Sequence, residues 1–420
     1  MSTDALQLFH QGRLTEAEAL VHKRLAQRPE DAEALVVLGM IGLRTNKLSE
    51  AQQALERAAQ ASPRHALARH YLARVYDAQG NVDAALKMHR AAVALDPSQH
   101  VTRLHYGVAL ERAGNRDQAV IQYARALNDA QAQGRWENPN TTPPLLRPLV
   151  ENAVRTVRTL RTQTFESFLE PLRENYGAGE LKRVERALRI YLREEAPQYL
   201  DERQRPTFLY FPDLPPYPYF DLKLFPWIPR FEAETGAIRE ELMKLLPSVS
   251  QSERVFTSTE LERENLRGVE PSWNGYYFYR HGVRREDNCA SCPRTAAALD
   301  SVPLSRVREH GPEVLFSVFT AGTHLLPHRG VTNTRIVAHL PLIVPRDCAL
   351  NVAGEIHEWQ EGRIVVFDDT YEHEAWNRSS SIRVVLIFDL WNPFLTEAER
   401  LALADVIASI GDFRAAVEAA

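Results

Sequence analysis

The stretch VFDDTYEHEAWN, residues 366–377, sets Asp368, Asp369, Glu372, His373 and Glu374 between strand-forming Val366 and Phe367 and the aromatic Trp376. Such a stretch is either a charged hairpin tip or the rim of a metal site. Two other stretches bear on the choice. GTHLLPHRGVTN carries His324 and His328 in what reads as a proline- and glycine-rich loop, and IRVVLIFDLW opens an apolar strand with Arg383, ten residues after His373. Between them, alternation along TRIVAHLPLIV puts Arg335, Val337, His339 and Pro341 on one face and Ile336, Ala338, Leu340 and Leu342 on the other. One face is apolar packing; the other carries an arginine and a histidine.

Two separated histidines on barrel strands or their rims, with an arginine beyond the second, suit an iron(II) oxygenase. Such a site holds the metal on one edge and leaves positions open for cosubstrate and dioxygen. The arginine can take the distal carboxylate of a 2-oxo diacid in a forked pair. His328, His373 and Arg383 fit that description. The competing readings are a solvated surface histidine at 373 and a structural ion pair of Arg383 with Asp368 or Asp369, since an arginine at a barrel mouth needs a carboxylate partner. His324 and His357 lack a supporting motif and read as ordinary loop or strand residues, and Asp368 and Asp369 as turn and rim residues rather than metal ligands.

These residues need a frame, and the chain supplies two kinds. Pro29, Pro63 and Pro97 are spaced by 34 residues, as are Gly12, Asn46, Gly80 and Gly114, and Ala17, Ala51, Ala85 and Ala119. A small residue at each fixed position lets paired helices approach, the turn glycine or asparagine ends one helix, and the proline breaks the chain after the next. This period resembles tetratricopeptide repeats over about residues 1–130 and implies a solenoid with a concave face for a peptide or partner protein. GRWENPNTTPP, residues 134–144, reads as a linker, and two helical stretches follow it. RPTFLYFPDLPPYPYFDLKLFPWIPRFE is too rich in proline for regular helix or central strand, and should wrap a surface, pinned by Tyr219, Phe225 and Trp227. From about residue 250 the period switches to two, in short strands expected to form a jelly-roll sandwich or barrel.

Bulk properties narrow the class. A length of 420 residues implies two or three domains, and a formal net charge of -5 gives no basic footprint for nucleic acid. No run approaches the roughly 18 apolar residues of a membrane span. Three cysteines form no disulfide framework, so a reducing cytoplasm is the expected location. Cys289-Ala-Ser-Cys292 lacks two further nearby zinc ligands and reads as a pair of reduced structural thiols.

PHRGVTNTRIVAHLPLIVP, WQEGR from Trp359, FDDTYEHEAWN and RVVLIFDLWNP from Arg383 occur in order. Together they resemble the aspartyl/asparaginyl β-hydroxylase family of iron(II)- and 2-oxoglutarate-dependent oxygenases, from about Phe208 to Pro393. The resemblance implies that His328 and His373 bind iron, that Arg383 and Ser317 hold the far carboxylate of 2-oxoglutarate, and that His339 contacts the cosubstrate. It matches Arg335 to a residue near a peptide substrate, which favours an acidic or carboxylate-bearing substrate. Gly330 stands where most such oxygenases have a carboxylate ligand, and the resembled family shares that absence. Val337 departs from the family, whose animal members have an arginine there. The expected organisation is repeats over 1–133, a linker with bridging helices over 134–205 and a jelly-roll oxygenase over 206–420, in a cytoplasmic hydroxylase of unstated oligomeric state. Two alternatives stand beside it: a hydroxylase of a small molecule or lipid with the repeats for assembly, and a repeat-based adaptor whose oxygenase-like domain does not turn over.

Overall fold

The 34-residue period folds as successive helix pairs: α1 (Ser2–His10) with α2 (Leu14–Gln27), α3 (Ala32–Arg44) with α4 (Leu48–Ala61), α5 (Ala66–Gln79) with α6 (Val82–Leu95), and α7 (His100–Arg112) with α8 (Arg116–Gln131). The computed structural model describes residues 2–249, 253–256, 258–268 and 270–419; residues 250–252, where the change of period falls, lie outside them. The repeated landmarks have physical roles. Gly12, Asn46, Gly80 and Gly114 all adopt the left-handed conformation that reverses the chain within a pair. A Cβ on Gly39 would lie 2.3 Å from Leu55, so only glycine lets α3 approach α4 this closely. Ala17, Ala51, Ala85 and Ala119 are fully buried.

By compactness the chain divides into residues 1–164 with 412–420, and residues 165–411. In the first unit, His70, His89 and His105 are buried together, with His70 ring centroids 6.2 Å from His89 and 5.5 Å from His105. Burial, then neighbouring cationic groups, hold His70 and His105 well below the ordinary imidazole range. Such a depressed histidine favours folding above about pH 6.5, and that contribution is lost as pH falls, because the unfolded chain takes up the proton first. The melting midpoint of the helical signal in the full chain should therefore drop between pH 7 and 5. His70→Leu, which removes a ring whose Nδ1 has no partner, should flatten the drop; circular dichroism at a series of pH values checks both.

The second unit begins with the end of α9 (Arg147–Tyr176), then α10 (Lys182–Tyr191) and the proline-rich segment, which is mostly irregular. Contrary to expectation, that segment does start a helix, α11 (Ile228–Ala233). Pro229 sits in its first turn, where no amide hydrogen is needed. After α12 (Thr235–Val249) come β1 (Glu253–Arg254), α13 (Thr259–Asn265), β2 (Leu266–Arg267), β3 (Trp273–Arg280), β4 (Val283–Arg284), α14 (Glu286–Ser291) and α15 (Pro293–Asp300). Eight strands follow: β5 (Val314–Phe319), β6 (His324–His328), β7 (Arg335–Ile343), β8 (Cys348–Val352), β9 (Glu355–Glu358), β10 (Val365–Phe367), β11 (His373–Asn377) and β12 (Arg383–Trp391); α16 (Glu397–Ala419) ends the chain.

These strands form two antiparallel sheets. The larger has the order β1-β3-β5-β12-β7-β10 with β4 beside β3, and the smaller β2-β6-β11-β8-β9. Period-two alternation divides the larger sheet's side chains between two cores. Val314, Phe316, Val318, Ile336, Ala338, Leu340, Leu386 and Phe388 pack against α11, α12 and α15. Phe319, Val337, Phe367 and Val385 face Leu325, Leu350 and Ala375 of the smaller sheet. Both faces are buried, which is why these strands read as continuous apolar runs. The loop expected around His324 and His328 is instead β6, because a register irregularity between His373 and Ala375 of β11 lets the strand accommodate Pro327. Pro341 likewise falls where the β12–β7 register shifts. Cys289, Cys292 and Cys348 are free and buried, and burial raises the thiol pKa of each, the reverse of a reactive thiol.

Candidate metal and anion site

His328 ends β6 and His373 begins β11, and the two are direct cross-strand partners with ring centroids 4.1 Å apart. Each ring is oriented by a backbone carbonyl two residues earlier. His328 Nδ1 donates to Leu326 O at 2.9 Å, and His373 Nδ1 to Tyr371 O at 3.1 Å. Both Nε2 lone pairs are thereby left for a ligand, the arrangement that metal-binding imidazoles require. Burial, then the neighbouring His328, lowers the His373 pKa to about 4, so its ring is neutral at physiological pH. No group of three or more His, Cys, Asp or Glu among the described residues is disposed to hold a metal ion. The donor set is a pair of imidazoles, which suits a divalent transition metal that keeps open positions.

The pair lines a cavity of about 460 Å³ between the sheets, shared with Arg383, Ser317, His339, Arg335 and Val337. The cavity thus gathers His328, His373, Arg383, Ser317, His339 and Arg335, the candidate site residues of the sequence. At one end lies Arg383, 1% exposed. Its Nη1 donates to the Ser317 carbonyl and Oγ, both at 3.1 Å, and its guanidinium carbon lies 3.8 Å from the Phe319 ring centroid and 4.8 Å from that of Trp359. No carboxylate pairs with it among the described residues, and its buried Nε has no partner. Burial lowers its pKa to about 9, leaving it charged at neutral pH. The Ser317 oxygen also accepts Trp273 Nε1 at 2.9 Å, which leaves its own proton to donate. His339 is buried, its pKa held well down by burial and then by Arg383, and its Nδ1 lacks a partner. The apolar cavity end therefore holds an uncompensated cation and several donors.

Toward the other end, Arg335 pairs with Asp369 and Asp389, each at 2.9 Å. Asp368 and Asp369 are not exposed rim residues. Asp368 is 1% exposed; its Oδ1 accepts Thr370 N and Oγ1 and its Oδ2 accepts Gln204 Nε2 at 2.6 Å, and burial raises its pKa to about 6. Asp369 is buried in the cavity wall with Oδ1 unpartnered, and a Cβ built on Gly330 would lie 2.1 Å from that oxygen. The space that a side chain at 330 would take is filled by the carboxylate of a residue 39 positions later. Nothing local in the sequence signals this, because the two residues meet only through the fold.

The proline-rich segment ties these loops down. Arg205 N donates to Thr370 O, Thr207 N to Gly330 O, and Phe208 N and Leu209 N to Val331 O, at 2.9–3.0 Å. Tyr219 donates its hydroxyl to Leu350 O and Glu355 O, and Phe225 and Trp227 pack into the helix-covered core, so the expected pinning residues do anchor it. His324 pairs with Glu374 at 2.7 Å and does not line the cavity.

A family model described as aspartyl/asparaginyl beta-hydroxylase matches residues 232–393, and two tetratricopeptide-repeat models match 43–89 and 71–135. The human aspartyl/asparaginyl beta-hydroxylase is 37% identical over 143 residues, 34% of this chain and 19% of the relative. The ornithine lipid ester-linked acyl 2-hydroxylase of Rhizobium tropici is 36% identical over 185 residues, 43% of this chain and 63% of the relative. The mouse aspartate beta-hydroxylase domain-containing protein 2 is 31% identical over 248 residues, 57% of this chain and 69% of the relative. The chain belongs to the aspartyl/asparaginyl β-hydroxylase family and carries tetratricopeptide repeats ahead of the family's β-rich domain. It spans about a fifth of the human relative's length.

A buried cation kept for a ligand differs from one kept for stability in what its removal does. Breaking a buried ion pair costs about 3–5 kcal/mol, whereas removing a buried charge that has no acid partner also removes its desolvation penalty of several kcal/mol. Arg383→Met should therefore leave the ligand-free melting temperature at or above that of the parent. A loss of the size expected for a broken pair, read by calorimetry, would mark the arginine as structural.

Proposed function

We propose that the β-rich domain is an iron(II)- and 2-oxoglutarate-dependent hydroxylase built on a double-stranded β-helix, the jelly roll of such oxygenases. The strand order supports the jelly roll: β5 to β12 divide four and four, with β5-β12-β7-β10 in one sheet and β6-β11-β8-β9 in the other. The observation that carries the activity is Arg383, buried with no carboxylate paired to it among the described residues, in the cavity that also holds the two-histidine pair. His328 and His373 would hold iron through Nε2, and iron(II), when bound, supplies dioxygen activation coupled to decarboxylation of 2-oxoglutarate to succinate. Arg383 and Ser317 hold the far carboxylate of the cosubstrate, with His339 beside it as a neutral contact. The apolar walls, Leu315, Phe319, Phe367 and Ile387 among them, exclude water from the reacting centre.

The substrate enters from the side of Arg335, Asp369 and Asp389. A peptide or carboxylate-bearing substrate, carried in by the repeats of residues 1–133 across the bridge of 134–205, is the first reading. A lipid or other small molecule is the second, and two observations favour giving it weight. The Rhizobium relative is named for an ornithine lipid, and both terminal nitrogens of Arg335 are already bonded to carboxylates. Cells with and without the chain separate the two: a gain of one oxygen in tryptic peptides supports the first, and a gain confined to the lipid extract supports the second.

The metal assignment has a direct test. His328→Ala and His373→Ala should each abolish iron-dependent succinate formation, because a two-ligand site has no redundancy, while the protein stays folded by circular dichroism. Near-parental turnover in either variant would sink the assignment, and with it would revive the non-catalytic adaptor.

A further inference from the structure

Two groups that line the cavity, Arg383 and His339, and Trp359, which packs on both without itself lining it, each carry a buried nitrogen with no partner among the described residues: Arg383 Nε, His339 Nδ1 and Trp359 Nε1. Trp359 follows β9 directly and is 7% exposed. Its ring connects the other two, with the centroid 4.8 Å from the Arg383 guanidinium carbon and 5.8 Å from the His339 ring. An indole N–H is a donor only, and a buried donor without an acceptor costs free energy comparable to a lost hydrogen bond. A Phe at this position would carry no N–H to leave without an acceptor. An orphan donor next to an uncompensated buried cation and a neutral imidazole is what a multidentate anion would satisfy at once. On β7, His339 and Arg335 line the cavity with polar groups and Val337 between them with methyl groups.

We propose that Trp359 is part of the cosubstrate site, its ring face seating Arg383 and its indole N–H donating to the far carboxylate of the 2-oxo acid. The inference rests on the cosubstrate reading above and adds a residue to it. It places a three-sided donor set around one carboxylate: Arg383 and Ser317 from the larger sheet, and Trp359 from the connection between β9 and β10. Trp359 is thereby a specificity residue for dicarboxylate over monocarboxylate 2-oxo acids.

The test uses the full chain loaded with zinc(II) as a redox-silent metal, titrated calorimetrically with 2-oxoglutarate and with pyruvate, which lacks the far carboxylate. Trp359→Phe keeps a ring against Arg383 and removes only the donor. It should weaken 2-oxoglutarate roughly tenfold to a hundredfold, the range of a hydrogen bond to a charged acceptor, and leave pyruvate and zinc binding unchanged. Equal weakening of both acids would indicate a merely structural role and overturn the proposal, as would undiminished 2-oxoglutarate binding by the variant. Absence of 2-oxoglutarate binding by the parent would overturn the cosubstrate reading itself, a separately visible failure. A second measurement needs no variant at this position. With 15N-labelled indoles, the chain's six tryptophans give resolvable N–H signals, assigned by Phe substitution of the other five. The Trp359 signal should move on adding 2-oxoglutarate and stay in place with pyruvate; an immobile signal at saturating 2-oxoglutarate overturns the assignment.

Discussion

The β-rich unit is organised around a cation that it does not neutralise. Arg383 is almost fully buried at the start of β12, held by Ser317 and by two aromatic rings, with no acid against it among the described residues. Moving a charge out of water costs several kcal/mol even after relaxation, so the surrounding structure must hold it there. It does so through a sheet buried on both faces. The outward residues of β5, β7 and β12 pack under helices, and the inward ones, Ser317, His339 and Arg383 among them, line the cavity. The Phe319 and Trp359 rings both lie against the guanidinium, whose planar fork is the property that distinguishes arginine from lysine at an anion site.

The histidine pair depends on the same construction. His328 and His373 face each other because β6 and β11 are neighbours in the smaller sheet, and their rings are turned by carbonyls of Leu326 and Tyr371. Those carbonyls lie in segments clamped by the strap of residues 204–209, through backbone bonds to Gly330, Val331 and Thr370. Gly330 and Asp369 are mutually dependent. Any side chain at 330 would collide with the Asp369 carboxylate, which in turn is fixed by Arg335. An acid at 330 is thus excluded by space, quite apart from any preference of a metal.

Much of this was legible in the chain itself. The helix pairs of the repeat could be read because their determinants are local: a glycine or asparagine in the left-handed turn, an alanine or glycine at each close approach, a proline after each pair. The faces of β7 followed from alternation, and Ile336, Ala338, Leu340 and Leu342 do go to the helix-covered core while Arg335, Val337 and His339 line the cavity. The motifs from Pro327 to Pro393 were sufficient to point to the family. Two local readings failed for one reason. Proline counts against a strand or helix only where its missing donor is needed, and at Pro327 and Pro229 a register irregularity and a first helical turn remove that need.

What the sequence by itself determined, then, is the kind of element at each place, which residue types face inward, and the chemical character of the candidates. Pairing at long range was decided only in three dimensions. Nothing local says that Asp369 fills the space beside Gly330, that Arg335 is held between Asp369 and Asp389, that Asp368 is buried under Gln204 from a segment 164 residues away, or that Trp359 lies against both Arg383 and His339. The physical reason is that a charge or donor is defined by what surrounds it. Helix and strand periods arise from neighbours along the chain, whereas the partner, or the absence of one, for a buried polar group is set by where distant strands cross.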